Sequence, residues 1–259
     1  MAEKELLKVR PNKKIYREDD KLIKLFDHNI VKKSEVLKEA YSHALVEETG
    51  LSVPKLLYVN NEGEDWAIAT EYINGNTIET LMKNVKQFHL TTNDPDNKKK
   101  YIDKLVELQM AMSKISCSDL KKLRDKMNDR ISHSGLEATV RYELHVRLDS
   151  LPRHNKLCHG DFNPSNVLVD ENGKYYILDW AHATQGNASA DAATTYIQFL
   201  LTGDKASAEY YLKAFCKKTD TALQYVQKWM PIVAAALSVK ASPEDRAALL
   251  KMVNVVEYE

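Results

Sequence analysis

Apolar positions recur along this chain at two periods, and the change from one to the other falls near Asn74. Before it, short alternating runs at Leu6–Arg10, Lys14–Arg17 and Lys21–Phe26 predict strands, with a turn at Glu18-Asp19-Asp20. Val36, Leu37, Ala40, Ala44 and Leu45 are spaced as one helical face, with Ser34 placed to cap the helix and Gly50 to stop it. Extended chain resumes at Val53–Tyr58, turns at Asn60–Gly63 and returns at Trp66–Ile73. After Asn74-Gly75 helical spacing dominates, over Thr77–Gln87, Asp96–Ile115 and Gly135–Leu151, with a polar loop at His89–Asp94. Beyond Ala188 the chain again reads as helical, with breaks near Gly203 and Pro243.

One later segment breaks this helical pattern. Val167–Val169 and Tyr175–Leu178 are strand-like, and Asn172-Gly173 between them is a strong hairpin signal. If those two residues form a tight turn, Asn166 and Asp179 stand opposite each other, with Cβ atoms about 5 Å apart. A longer turn changes this pairing. An amide oxygen beside a carboxylate suits Mg, which needs only one or two protein groups when phosphates and waters complete its octahedron. Upstream, Asp161 lies in a loop kinked by Gly160 and Pro164, where its carboxylate is able to accept the proton of an attacking hydroxyl. Any one of these residues alone is more often a turn or cap residue. The ordered set His-x-Asp, four residues, Asn, hairpin, Asp resembles the catalytic apparatus of protein kinases, and that resemblance implies phosphoryl transfer.

His159-Gly160-Asp161-Phe162-Asn163-Pro164-Ser165-Asn166, followed by Leu178-Asp179-Trp180, resembles the catalytic and metal-binding motifs of the aminoglycoside phosphotransferase and choline kinase-like family. The likeness runs from about Leu6 to Leu200. It implies an α+β, protein-kinase-like two-lobe fold. Residues 1–73 would form a small β-sheet lobe with one helix that binds nucleotide. Residues 74–259 would form a larger, mainly helical lobe with the catalytic-loop hairpin and the acceptor site. It further implies that Lys24 contacts the α- and β-phosphates of ATP or GTP, oriented by Glu39 or, one helical turn earlier, by Glu35. Thr70, Glu71, Tyr72 and Ile73 would form the hinge that reads the base, Asn166 and Asp179 would hold Mg, and Asp161 would be the catalytic base. His159 would pack and hydrogen-bond within the loop, and Asp191, after Gly186-Asn187, would buttress it.

The chain departs from the family pattern in a short, glycine-free nucleotide loop near Glu18-Asp19-Asp20 and in carrying Asn at position 163. Protein-kinase features are missing: no Arg follows the His, and no Asp-Phe-Gly or Ala-Pro-Glu appears. A nucleotide-binding pseudokinase is the alternative, and the intact Lys24, Asp161, Asn166 and Asp179 count against it.

Composition narrows the partners. The 259 residues carry 37 basic and 37 acidic side chains, so no net charge draws the chain to nucleic acid or an anionic membrane. Cys117, Cys158 and Cys216 are scattered without metal-ligand spacing, as expected of reduced thiols in a cytoplasmic protein. The apolar run Met230–Val239 is too short to span a bilayer. The expected acceptor is a small hydroxyl-bearing molecule. From Asp204 to the end, eight Lys or Arg face seven Asp or Glu, a balance that offers a polycation no acidic trap, although Glu257 and Glu259 form a small anionic patch if the tail folds back.

Overall fold

A computed structural model of the protein describes residues 4–88 and 96–253. In chain order it begins with β1 (Glu5–Arg10), β2 (Lys13–Glu18), β3 (Lys21–Phe26), α1 (Lys33–Glu47), β4 (Leu56–Glu62), β5 (Asp65–Glu71), β6 (Gly75–Thr77) and α2 (Ile78–Phe88). Helices α3 (Asp96–Lys114), α4 (Leu123–Ser132) and α5 (Ala138–Ser150) follow, then β7 (Lys156–Cys158), β8 (Val167–Asp170), β9 (Tyr175–Ile177) and β10 (Thr184–Gly186). Helices α6 (Ala188–Leu201), α7 (Lys205–Thr219), α8 (Leu223–Gln227), α9 (Met230–Ser238) and α10 (Pro243–Met252) complete it. The expected loop at His89–Asp94 and the tail carboxylates Glu257 and Glu259 lie outside the described residues.

The chain forms two compact units, each discontinuous in sequence. One holds the chain up to Leu81 together with Pro164–Ala183, and the other holds Met82–Asn163 and everything from Thr184. The first is built on an antiparallel sheet of order β1-β2-β3-β5-β4. On one face Phe26 and Ile68 pack with Val36 and Ala40 of α1. The other face gathers Ile23, Ala67 and Ala69 with Tyr16, Leu25 and Tyr58. Alternation along β3 and β5 therefore sorts side chains between two packed surfaces, and truncating a buried residue such as Ile68 to Ala would cost about 2–5 kcal/mol. At the edge, β1 is exposed along its whole length. Charged residues there guard the open backbone groups.

The hairpin of β8 and β9 belongs to this unit and pairs with β6 in a second sheet. Its register departs from the tight-turn expectation. Val167 faces Ile177 and Val169 faces Tyr175, so Glu171-Asn172-Gly173 form a three-residue loop. The Asp170 carboxylate accepts from the backbone N–H groups of Asn172 (2.9 Å) and Lys174 (2.8 Å), which fixes the longer loop. Gly173 supplies its left-handed residue at φ +79°.

The second unit is helical, with β7 and β10 as its only paired strands among the described residues. Helix α6 is buried without interruption from Ser189 to Thr195. In α9 the small side chains of Ala234, Ala235 and Ala236 are all buried, which lets neighbouring helices approach closely. Helix α4 was not expected from the pattern. Its strongly polar sequence hides Leu123, Met127 and Ile131, the residues it buries. Among the described residues no helix is long and apolar enough to cross a membrane, and the three cysteines are free.

Candidate active site

In the first unit, a cavity of about 290 Å³ opens against the sheet. Lys24, Glu39, Thr70, Glu71, Tyr72, Ile73, Asn166 and Asp179 all line it. Lys24 reaches Glu39 at 2.7 Å and Asp179 at 2.9 Å. Burial alone would lower its pKa. The fields of Asp179 and Glu39 more than reverse that, so the ammonium stays charged above its ordinary range. Glu35 does something else: its carboxylate accepts from the backbone N–H of Lys32 at 3.2 Å, capping α1.

Asn166 and Asp179 are joined indirectly. Asn166 faces Leu178, whose N–H donates to the Asn166 carbonyl at 2.8 Å. Asp179 is thus one residue past the expected cross-strand position. It takes a left-handed conformation, φ 58° and ψ 68°. A non-glycine residue there costs on the order of 1 kcal/mol and persists where its surroundings hold it. Trp180, 1% exposed, is the anchor that follows. Its indole N–H donates to the Ile177 carbonyl at 3.1 Å. Asn166 and Asp179 thus present hard oxygen donors in one cavity, and Asp179 already carries a cationic neighbour in Lys24. This donor set fits Mg.

The segment expected as the hinge has a defined supply of backbone groups. The N–H of Glu71 is bound to the Lys55 carbonyl (2.8 Å) and that of Tyr72 to the Asp20 carbonyl (2.7 Å). The Ile73 N–H, on the cavity wall, has no backbone partner among the described residues. His43, also on the wall, bonds the Pro54 carbonyl through Nε2 at 2.6 Å. Burial, aided by the Lys24 charge and opposed by the Pro54 carbonyl, holds its pKa below the ordinary value, so it sits neutral as an Nε2–H donor.

Glu18, Asp19 and Asp20, expected as the nucleotide loop, are not among the cavity residues; Lys8 and Arg10 of β1 are. The reason is hairpin order. The turn that leads back from the cavity edge is Pro11-Asn12, between β1 and β2.

In the second unit, Asp161 sits in a loop tied from several directions. The carboxylate of Asp191, 3% exposed, accepts from the backbone N–H groups of His159 (3.0 Å) and Gly160 (2.7 Å). Gly160 lies at φ +77°, where a side chain would be strained. His159 is fully buried, and its Nδ1 accepts from the Asp161 N–H at 3.2 Å. The Thr195 hydroxyl donates to the Phe162 carbonyl at 2.7 Å. Gln198 donates through Nε2 to the Asp161 carboxylate, and Asn163 donates to the Asp161 carbonyl at 3.0 Å.

Asp191, Thr195 and Gln198 are one helical stripe, i, i+4 and i+7, on a helix that is otherwise mostly apolar. The motif reading found Asp191 alone. The signal for the other two was polar residues at the spacing where a buried helix normally carries its apolar seam. Lys126 of α4 was also missed. Burial, with Arg130 and Lys121, brings its pKa down to about 7, while Asp191 and Asp161 pull the other way.

With this geometry in view, comparison with known proteins is decisive about kinship. A model of the phosphotransferase enzyme family matches residues 10–229. The chain belongs to that family. Among solved structures, a thermostable mutant of aminoglycoside phosphotransferase APH(4)-Ia in its apo form aligns with a TM-score of 0.69 at 15% identity, over 97% of this chain and 92% of that one. Choline kinase LicA from Streptococcus pneumoniae gives 0.68 at 15% identity, over 97% and 92%. Amicoumacin kinase hAmiN, solved with AMP-PNP, Ca2+ and Ami, gives 0.67 at 11%, over 96% and 86%. This phosphotransferase therefore has the α+β, protein-kinase-like fold that its motifs imply. A Bacillus subtilis (strain 168) relative, the uncharacterized protein YcbJ, is 29% identical over 132 residues. That match spans 47% of this chain and 42% of the relative, less than half of its length.

Proposed function

We infer that this phosphotransferase is an Mg-dependent small-molecule kinase that moves the γ-phosphoryl group of ATP or GTP to a hydroxyl. The observation that carries this reading is the Lys24–Glu39–Asp179 network, which shares one cavity with Asn166 and the hinge residues. In it Lys24, steered by Glu39, holds the α- and β-phosphates, and the Ile73 N–H together with hinge carbonyls meets the base. Mg, held by Asn166 and Asp179, would neutralise charge on the phosphate oxygens. Asp161 orients the acceptor hydroxyl and takes its proton. The transition state of such transfers is loose, so positioning and electrostatics supply most of the rate. The solved relatives with bound AMP-PNP, or with ADP and hygromycin B, support a nucleotide donor and a small acceptor.

The test is nucleotide consumption with Mg, using ATP and GTP against a panel of aminoglycosides, choline, ethanolamine, homoserine and sugars. Acceptor-dependent turnover is expected, falling at least about 100-fold in Asp161→Asn, in the range for loss of a general base. Nucleotide binding without turnover on any acceptor would instead favour a regulatory pseudokinase. Turnover that Asp161→Asn leaves intact would remove Asp161 from the mechanism.

A further inference from the structure

Lys8 and Arg10 are two residues apart on β1 and so share one face. Cross-strand pairing carries that face inward. Lys8 stands opposite Ile15, Ile15 opposite Lys24, and Lys24 opposite Ile68. All four of these residues, and Arg10, line the cavity described above. With strands spaced about 4.8 Å, the β1 backbone lies about 10 Å from that of β3. Long side chains from the two strands can therefore act on a single extended ligand.

The charges on this face do not balance internally. Arg10 is paired directly with Lys13, a like-charge juxtaposition that destabilises a sheet unless something offsets it. Lys13 is partly answered by Glu39 at 3.6 Å, and the same carboxylate already serves Lys24. Neither Lys8 nor Arg10 has an ion pair among the described residues. The turn beyond them is Pro11-Asn12. A phosphate-cradling turn works through successive backbone N–H groups, and Pro11 has none. This hairpin lacks one of the successive N–H groups that such a cradle uses, yet it aims cationic side chains at the cavity.

We propose that Lys8 and Arg10 form a side-chain clamp for the polyphosphate tail of the donor, taking the part that loop amides would otherwise play. The identity of the ligand as a nucleotide rests on the kinase reading above; the preference for a polyphosphate rests on the β1 face itself. The competing role for these residues is simply to guard an edge strand against pairing with other chains, and that role predicts no ligand dependence.

The experiment is calorimetric titration of the full chain with Mg-ATP, Mg-ADP, adenosine and inorganic tripolyphosphate, at low and high KCl. Wild type, the Lys8→Ala/Arg10→Ala double variant and an Arg10→Lys variant are compared. Because β1 is fully exposed, the double variant should melt as wild type does, and a thermal scan checks this. The expected result is a loss of about tenfold or more in affinity for Mg-ATP and tripolyphosphate. Adenosine binding should be unchanged, the salt dependence flatter, and Arg10→Lys should retain part of the affinity. Equal losses for ATP and adenosine, or no loss, would overturn the clamp while leaving the nucleotide reading intact. Tripolyphosphate binding that depends on Lys8 and Arg10, with no nucleotide binding, would sustain the clamp and overturn the nucleotide reading. If the wild type binds none of the four, both fail.

Discussion

The two units hold their carboxylates in opposite ways. In the first, Asp179 and Glu39 are neutralised by the side-chain ammonium of Lys24, and the Asp179 side chain remains 36% exposed. In the second, Asp191 is 3% exposed and is satisfied by backbone N–H groups that cannot move without the loop. Under the proposed mechanism Asp179 exchanges an ammonium for a metal, and its partial exposure leaves room for that exchange. A carboxylate whose task is to fix a loop is buried against donors that are part of the loop. The contrast separates a residue's contribution to the fold from its contribution to chemistry, and substitutions can test it.

The largest effect is expected at Asp191. Asp191→Ala leaves the buried His159 N–H and the part-buried Gly160 N–H without this acceptor, and each bond to a charged acceptor contributes about 1.5–3 kcal/mol. A stability loss of about 3 kcal/mol is predicted, equivalent to roughly 6–12 °C in Tm for a chain of this size, together with loss of turnover. Asp191→Asn should recover part of the stability. A melt indistinguishable from wild type would mean that the loop is held by something else.

Lys24→Met should behave in the reverse manner. Glu39, 13% exposed, keeps Lys13 at 3.6 Å, and Asp179 is 36% exposed, so the stability at stake is about 1–2 kcal/mol, less than at Asp191. The predicted loss is in kcat/KM, roughly 100-fold or about 2.7 kcal/mol. A large drop in Tm with nucleotide affinity retained would make Lys24 a structural residue and erase the distinction between the units.

Gln198→Ala sharpens the comparison within the second unit. Gln198 does not support the loop backbone; it touches the Asp161 carboxylate itself. Under the proposed mechanism it is a positioning residue for Asp161. A drop of about tenfold in kcat with unchanged KM and unchanged Tm is expected, with the pH profile of kcat displaced because Asp161 loses a donor to its ionised form. A fall in Tm without a change in the pH profile would reduce Gln198 to packing.

How far these roles could be read from sequence depends on whether their partners are local. His159 to Asn166 is a continuous motif, and Lys24 and Glu39 sit on elements whose hydrophobic spacing is plain. The choice between Glu35 and Glu39 required geometry, because both occupy one helical face and only the second lies beneath Lys24. The hairpin register turned on whether the loop held two residues or three, which the Asp170 side chain decides by bonding its own loop. Strand β6 is three residues long and owes its existence to β8, far away in sequence. No local signal could announce it. Thr195 and Gln198 were visible as misplaced polar residues, but their partners lie more than thirty positions upstream.

The smallest effect concerns pH and belongs to the first unit. His43 is 8% exposed, and its pKa is held below 6.5 by burial and the nearby Lys24 charge. The unfolded chain, with an ordinary histidine, binds its proton first as pH falls. Stability is then complete above about 6.5 and declines as pH drops from there toward the depressed folded value. Glutamine keeps a donor for the Pro54 carbonyl but does not titrate. His43→Gln should therefore show a flatter fall in Tm between pH 7 and 5, with near-equal stability at pH 7.5. An unchanged acid slope would place the acid sensitivity elsewhere, and a large loss at pH 7.5 would mean that the imidazole's packing, not its proton, is what the fold requires.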